Sequence, residues 1–486
     1  MHTCCIIMVR LLEIGPLALL LSFALGGCVL PGGDAPADTD ACTTDCGDGA
    51  DASGDGVGDV TGGDDDGVDP DGGSDDGEPS GAGIPCDIQQ ILVDNCGECH
   101  GDPPLYGAPM ALEDHVDFQI PAPSDVSRSV WEEAIDRIGD PVSPMPPFGE
   151  MESDDREALL AWLEAGAPEE ENAGSCDTEP TDPGEPVGPD ALPCDVTHTF
   201  TAHADASEEP YHVPEQGADN LYQCFTFSSP VAEGTQATAW APIIDDERVV
   251  HHWILYRSAT PQVDGGVGPC DMPGDAKFVA GWAPGGKNFL MPEGVGLELG
   301  GPDDSYILQI HYHNTAHHAD SFDGSGVAFC TAEEPLPQTA GIMTLGTVWL
   351  DIPAGAEGHE ESGVCPSWMT SFLPEPLTVI ASFPHMHELG RSFSTEILRG
   401  GDETDTDAIT EVPLYNFENQ EFYVNDPPLQ IMPGDAIRTT CTYDNPYDFT
   451  VRFGEETEDE MCFNFVMAYP IEMVGETRDC GTLDNG

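Results

Sequence analysis

The chain has 486 residues, more than a single hydrophobic core accommodates, so several domains are expected. Its 13 Lys and Arg against 91 Asp and Glu give a formal net charge of -78 at pH 7, which argues against a nucleic-acid partner because phosphate binding needs clustered cations. The acidity reads instead as a solvated surface.

Residues 1–27 read as a lipoprotein signal peptide: Arg10 precedes an apolar stretch, Leu17 to Leu25, that is too short to span a bilayer as a helix. The stretch ends in Leu25-Gly26-Gly27-Cys28, which resembles the bacterial lipobox and so implies cleavage and lipidation at Cys28. An ordinary secretory signal with an incidental cysteine is the other reading. Either way the mature chain is exported and disulfides are permitted. Val29 lacks the acidic character associated with inner-membrane retention, so the expectation is an exported bacterial lipoprotein, membrane-anchored in the periplasm or at the cell surface, with the outer membrane preferred.

Residues 28–83 are Asp, Gly, Ser and Pro with almost no large apolar side chains, and they cannot bury enough surface to offset chain entropy. They read as a disordered tether. Residues 84–170 are a small all-α domain, with helical pattern over Asp87 to Asn95, Val130 to Ile138 and Asp154 to Ala165, the last behind a Ser153 N-cap. A Pro/Gly/Glu linker, 171–190, follows. Beyond it come short Val-, Ile-, Phe- and Tyr-rich runs such as Val249 to Tyr256, Tyr306 to His313, Leu377 to Phe383 and Phe463 to Tyr469, punctuated by turn residues. They predict two tandem antiparallel β-sandwich domains, 191–345 and 346–486.

Within the helical domain, Cys96-Gly97-Glu98-Cys99-His100 has the spacing that lets two thiols form thioethers to haem vinyl groups while His100 reaches the iron. A disulfide pair or zinc hairpin beside a chance histidine is the bland reading. Met145, in the proline-stiffened Ser143-Pro144-Met145-Pro146-Pro147, is the leading second axial ligand, with Met110, Met151 and His115 behind it. The domain resembles class I c-type cytochromes, which implies one covalently attached haem c. Of 17 cysteines, Cys4 and Cys5 leave with the signal, Cys28 carries lipid, and Cys96 and Cys99 bond haem; the remaining twelve form the even set that a disulfide framework requires.

In the β half, His385 and His387 alternate inside an apolar run, so a period of two puts both imidazoles on one face of a strand. Met461 adds a soft thioether that suits copper, Cu(I) above all, better than zinc or calcium. His311 and His313 alternate as well, and only one need be a ligand. His251 and His252 are adjacent, so joint ligation requires a local distortion of the strand. His317 and His318, with His313, read as solvent-exposed loop histidines. Taken singly, each histidine or methionine is more often structural.

Together, and with Gly281-Trp282-Ala283-Pro284-Gly285-Gly286, Leu308-Gln309-Ile310-His311-Tyr312, His385-Met386-His387-Glu388-Leu389-Gly390-Arg391, Cys441-Thr442-Tyr443 and Asp459-Glu460-Met461-Cys462, these pieces resemble the copper type II, ascorbate-dependent monooxygenases over roughly Cys194 to Cys480. The resemblance implies two copper ions, one held by His251, His252 and His311 and the other, where dioxygen reacts, by His385, His387 and Met461. It also implies the disulfides Cys194–Cys330, Cys224–Cys270, Cys365–Cys480 and Cys441–Cys462, leaving Cys42 with Cys46 and Cys86 with Cys176. Peptide-amidating members carry a basic residue two positions before the first histidine of His-x-His and an aromatic hydroxyl four after the methionine; Phe383 and Phe465 stand there. Peptide amidation is thereby disfavoured. The two phenylalanines point to an apolar or aromatic substrate or, equally, to core packing.

The expected function is hydroxylation of a C–H bond of a small molecule with O2, electrons being relayed through the haem from a periplasmic donor or an ascorbate-like reductant. A non-catalytic copper-binding or electron-transfer lipoprotein on the same scaffold is the alternative, and a zinc or calcium adhesion module a third class.

Overall fold

The computed structural model describes residues 83–140, 144–147, 151–170, 176, 178, 186–205, 209–218, 220–270, 272–417, 420, 422–454, 459–475 and 478–481. The expected signal peptide, lipidated Cys28, Asp/Gly tether and Cys42–Cys46 pairing, and most of the expected 171–190 linker, lie outside the described residues. Among the described residues, no helix is long and apolar enough to cross a membrane.

Among the described residues before 170 are four helices: α1 (Cys86–Asn95), α2 (His115–Gln119), α3 (Val130–Gly139) and α4 (Ser153–Glu164). Three coincide with the periodic stretches of the sequence, whereas five-residue α2 is too short to display a period. α1 buries Ile88, Ile91 and Leu92, and α4 buries Leu159, Trp162 and Leu163, the spacing that places side chains on one helical face. α4 packs on α1, and Phe118 of α2 meets Trp162 edge-on at 5.0 Å. Each large apolar side chain buried here contributes about 1.5–3 kcal/mol. α3 opens with a capping box in which Ser129 and Glu132 satisfy each other's backbone N–H groups. Ser153, expected as the cap of α4, is its first helical residue; Glu152 takes the cap position without a side-chain bond, while Asp154 and Asp155 complement the positive end of the helix. A Cys86–Cys176 disulfide ties α1 to the linker.

From residue 198 onward the chain is predominantly antiparallel β. A five-stranded sheet runs in the order Gly266–Gly268, Leu221–Ser228, Ser305–Tyr312, Val250–Ser258, Lys277–Trp282, and a four-stranded sheet in the order His359–Cys365, Ala436–Tyr443, Gly390–Leu398, Thr406–Val412. A ten-stranded sheet belongs to both halves. Its path passes from His198–Thr201 through Gly326–Thr331, Gln236–Ile243 and Val295–Glu298 to Gln338–Thr347, then through Cys462–Tyr469 and Leu377–His385 to Tyr423–Ile431.

The strand Gln338–Thr347 makes the join. Gln338, Thr339 and Ala340 pair in parallel with Val295, Gly296 and Leu297, and Gly341 to Thr347 pair antiparallel with Ala468 to Cys462. The pairing partners of this one strand change between Ala340 and Gly341, a few residues before the division expected near Leu345. Trp240, Trp253, Phe225, Tyr306 and Leu308 fill the core of the first half, and Leu345, Val379, Ile397, Ile437 and Val466 that of the second. The disulfides Cys194–Cys330, Cys224–Cys270, Cys365–Cys480 and Cys441–Cys462 are all formed. The described helices and sheets form one compact unit.

Candidate metal and cofactor centres

His252 and His311 face each other as register partners on neighbouring strands; one residue later the register shifts, so that Tyr312 pairs with Val250 and His251 is the extra residue. This bulge is the distortion that adjacent ligands on a strand require, since it re-aims one of two side chains that would otherwise point to opposite faces. His251 Nδ1 and His252 Nδ1 lie 3.1 Å apart, and one nitrogen from each of His251, His252 and His311 falls within a 4.8 Å set.

All three imidazoles are buried. Burial pushes His251 down to about 4 and holds His252 and His311 well below the usual imidazole range, which leaves neutral nitrogen lone pairs at neutral pH. His311 stacks on Tyr222 with ring centroids 4.3 Å apart, and its Nε2 lies 2.7 Å from Asn220 Oδ1. That contact assigns the proton to Nε2 and the lone pair to Nδ1, which is buried without a hydrogen-bond partner. An unpaired buried acceptor costs about 1–3 kcal/mol, and ligation of a metal would offset it.

The second cluster differs from the expected geometry. The strand Leu377–His385 ends at His385, so His387 lies in the turn beyond it instead of on the same strand face. The two imidazoles nevertheless converge, with centroids 5.3 Å apart. His385 Nδ1 is 2.6 Å from Gln420 Oε1 and His387 Nδ1 is 3.0 Å from the Asp459 carbonyl, contacts that direct each Nε2 toward the ligand position. Burial pushes His385 down to about 3.

Glu460, fully buried, binds the turn to the Met461 segment: one carboxylate oxygen accepts the N–H of His387 at 2.9 Å and of Met461 at 3.1 Å, and the other accepts Leu389 N–H at 2.7 Å. The Tyr443 hydroxyl donates to the Met461 carbonyl at 2.7 Å. Between the two clusters stands Phe417, its ring 6.4 Å from His252 and 6.0 Å from His387.

Phe383 is fully buried against Phe278 at 4.9 Å and Phe422 at 5.2 Å, and Phe465 stacks on Phe278 at 4.9 Å. The packing alternative therefore holds for Phe383. Phe465 remains half-buried with its ring 6.1 Å from His385.

In the helical segment, Cys96 and Cys99 are the free cysteines among the described residues, so the motif is not a disulfide. Burial pushes both thiols up to about 12. With His100 they line a cavity of about 600 Å³, large enough for a cofactor. His100 Nδ1 lies 2.8 Å from the Met110 carbonyl, which fixes the ring so that Nε2 faces the ligand position, and burial lowers its affinity for a second proton. Met145, held by its N–H to the Arg137 carbonyl at 2.9 Å, lines the same cavity, as do Met110 and Met151; His115 does not. Free paired thiols, an oriented imidazole and thioethers around one apolar cavity fit a covalently bound haem.

Asn220, Gln420 and Phe417 had no signal in the sequence, and Glu460, although inside the Asp459–Cys462 run, was given no role there, because each acts through a contact made only in the fold. His313, expected in solvent, is half-buried with its ring 5.6 Å from that of His251. His317 is exposed, as expected of a loop, and His318 is half-buried.

Residues 205–319 match the copper type II ascorbate-dependent monooxygenase N-terminal domain, and residues 338–481 match the C-terminal domain of the same family. Neither match reaches the helical segment. The chain is 30% identical over 280 residues to tyramine beta-hydroxylase of Caenorhabditis briggsae (54% of this chain, 47% of that protein). It is 31% identical over 295 residues to human dopamine beta-hydroxylase (56% and 47%) and 29% identical over 301 residues to DBH-like monooxygenase protein 1 of Gallus gallus (57% and 48%). The chain thus spans about half the length of the curated relatives it matches.

Proposed function

We propose that this chain, which carries the N- and C-terminal domains of the copper type II ascorbate-dependent monooxygenases, hydroxylates a C–H bond of a small molecule with dioxygen and draws its electrons through a covalently attached haem c. The observation that carries the reading is the pair of unlike donor sets: three neutral, buried imidazoles in one half, and two imidazoles with the Met461 segment locked beside them by Glu460 in the other. A storage protein has no need of two dissimilar sites. When bound, copper supplies one-electron redox chemistry and dioxygen activation, and haem supplies one-electron storage.

The residues divide the work. His251, His252 and His311 hold copper with nitrogen alone, and Asn220 sets the tautomer of His311. His385, His387 and Met461 hold the other copper, where the thioether favours the reduced ion. Glu460 positions the turn, and Phe465, stacked on Phe278, lies 6.1 Å from His385. Cys96, Cys99, His100 and Met145 hold the haem.

The substrate of this reading is a small apolar or aromatic molecule. Supporting it are the half-buried Phe465 beside His385 and the names of the relatives, which are hydroxylases of tyramine and dopamine. The reductant is an ascorbate-like molecule or a periplasmic donor. Five disulfides support an oxidising compartment, and lipid on Cys28 would tether the enzyme to a membrane there.

The test is an oxygen-dependent mass screen of candidate small molecules with the copper-loaded protein and ascorbate. Products heavier by one oxygen atom, labelled from isotopic dioxygen and absent without copper, are expected. Full copper loading with no oxygenated product across apolar and aromatic compounds would favour the non-catalytic carrier.

A further inference from the structure

The cavity behind Cys96, Cys99 and His100 is not closed by the helices alone. His251, Pro284, His313, Thr315 and Asn416, all from the β half, share its wall. Main-chain bonds hold the helical segment against it: Tyr106 N–H donates to the Glu247 carbonyl at 2.6 Å and Gly107 N–H to the Arg248 carbonyl at 3.1 Å, while the Thr315 hydroxyl donates to the Gly107 carbonyl at 2.9 Å. Glu98, inside the Cys-x-x-Cys-His run, accepts the Gly285 N–H, and the Tyr106 ring rests on Trp282 at 6.0 Å.

At the centre of this contact is His313. Gly107 has φ +80°, a conformation that strains other residues, and a Cβ there would fall 2.8 Å from His313 Cβ and 2.9 Å from its Nδ1. The loop backbone therefore lies directly on this imidazole. From the same ring, His251 is 5.6 Å away and His311 6.1 Å away, the latter within 14° of parallel. His313 stands outside the set of three imidazoles whose nitrogens crowd within 4.8 Å, so it is their neighbour and not a fourth ligand.

We infer that His313 is the positioning residue that couples the Cys96–His100 cavity to the three-histidine site, so that electrons enter that site within one chain and without a docked carrier. The inference rests on the haem reading above. A haem held by Cys96, Cys99 and His100 would supply single electrons, a cupric ion held by His251, His252 and His311 would accept them one at a time, and an external one-electron donor of the ascorbate class would replace each electron passed on. Gly107 has its place here as the residue whose missing side chain lets the backbone close on His313.

The full chain loaded with haem and copper tests this. Haem attachment is read from the absorption spectrum and cupric ligation from the electron paramagnetic resonance spectrum; the intramolecular rate is then followed anaerobically at the haem band after rapid reduction. His313→Phe, which keeps an aromatic ring, and Gly107→Ala, which pushes the loop off it, are each expected to slow the transfer by about tenfold or more with both spectra unchanged. A rate equal to wild type in both variants overturns the inference. So does a changed haem or cupric spectrum in His313→Phe, which would make His313 a ligand. A wild-type chain that attaches no haem overturns the haem reading itself, and the inference with it.

Discussion

The buried carboxylate of Glu460 grips His387 by its backbone, accepting that N–H at 2.9 Å, while the imidazole of His387 is left to the ligand position. The same carboxylate holds Leu389 and Met461, so its loss leaves three donors without partners. At about 1–3 kcal/mol for each unpaired buried donor, the turn and the methionine segment should part. Glu460→Ala is expected to bind one copper per chain in place of two, with the cupric resonance of the three-histidine site retained. Glu460→Gln, which keeps one acceptor oxygen, should recover part of the second. Metal analysis decides, and two coppers in the alanine variant would refute the positioning role.

Asn220 governs which nitrogen of His311 carries the proton. Asn220→Leu removes the 2.7 Å partner of Nε2 and frees the ring to tautomerise, turning an N–H toward the position where a lone pair is needed. Copper affinity at the three-histidine site should fall by roughly 10- to 100-fold, the usual cost of losing such a partner. Competitive chelator titration measures it, and an unchanged affinity would leave Asn220 without a role.

Met461→Ala separates the two centres chemically. The variant should keep the three-histidine copper and lose oxygenation, because the thioether is removed from one donor set only. Product analysis alongside copper stoichiometry checks both halves of the expectation, and continued hydroxylation would rule out the assignment of Met461.

Asp323 predicts a pH dependence away from either site. Burial raises its carboxyl from 3.8 to about 6, although the Tyr312 hydroxyl donates to it at 2.7 Å and the Ser325 hydroxyl at 2.6 Å. Below pH 3.8 both folded and unfolded chains hold this proton; between there and about pH 6 the folded chain alone does. Stability from this group is therefore greatest at low pH, falls as pH rises through that window, and levels off above it, a total of roughly 3 kcal/mol at most. Asp323→Asn cannot ionise, so the difference in urea midpoint between wild type and variant should change across that range. Parallel profiles would mean that the carboxyl is already ionised at its lower end.

What the sequence displayed and what it concealed divide along physical lines. The Cys96–His100 run was legible because its residues are contiguous. Strand runs around His252, His311 and His385 were legible because burial on both faces imposes apolar residues whatever the pairing. The bulge at His251 was not, since a register shift exists only relative to the opposite strand. Glu460 adjoins Met461 in sequence, yet its other two donors are 73 and 71 residues away, beyond any local pattern. Phe383 allowed two readings until Phe278, more than a hundred positions earlier in the chain, was seen against it. His313 failed for a different reason: its partner, Gly107, lies in another structural element, and a glycine advertises no contact.

The strand Gln338–Thr347 sets a limit on motion. Because one backbone segment is hydrogen-bonded into both halves, bringing the two copper centres together or apart by hinge rotation would mean unzipping the Gln338–Val295, Thr339–Gly296 and Ala340–Leu297 pairs. The salt bridge of Arg478 with Glu298 bridges the same seam. Rotation of one half against the other about this seam would thus break backbone hydrogen bonds of the shared sheet.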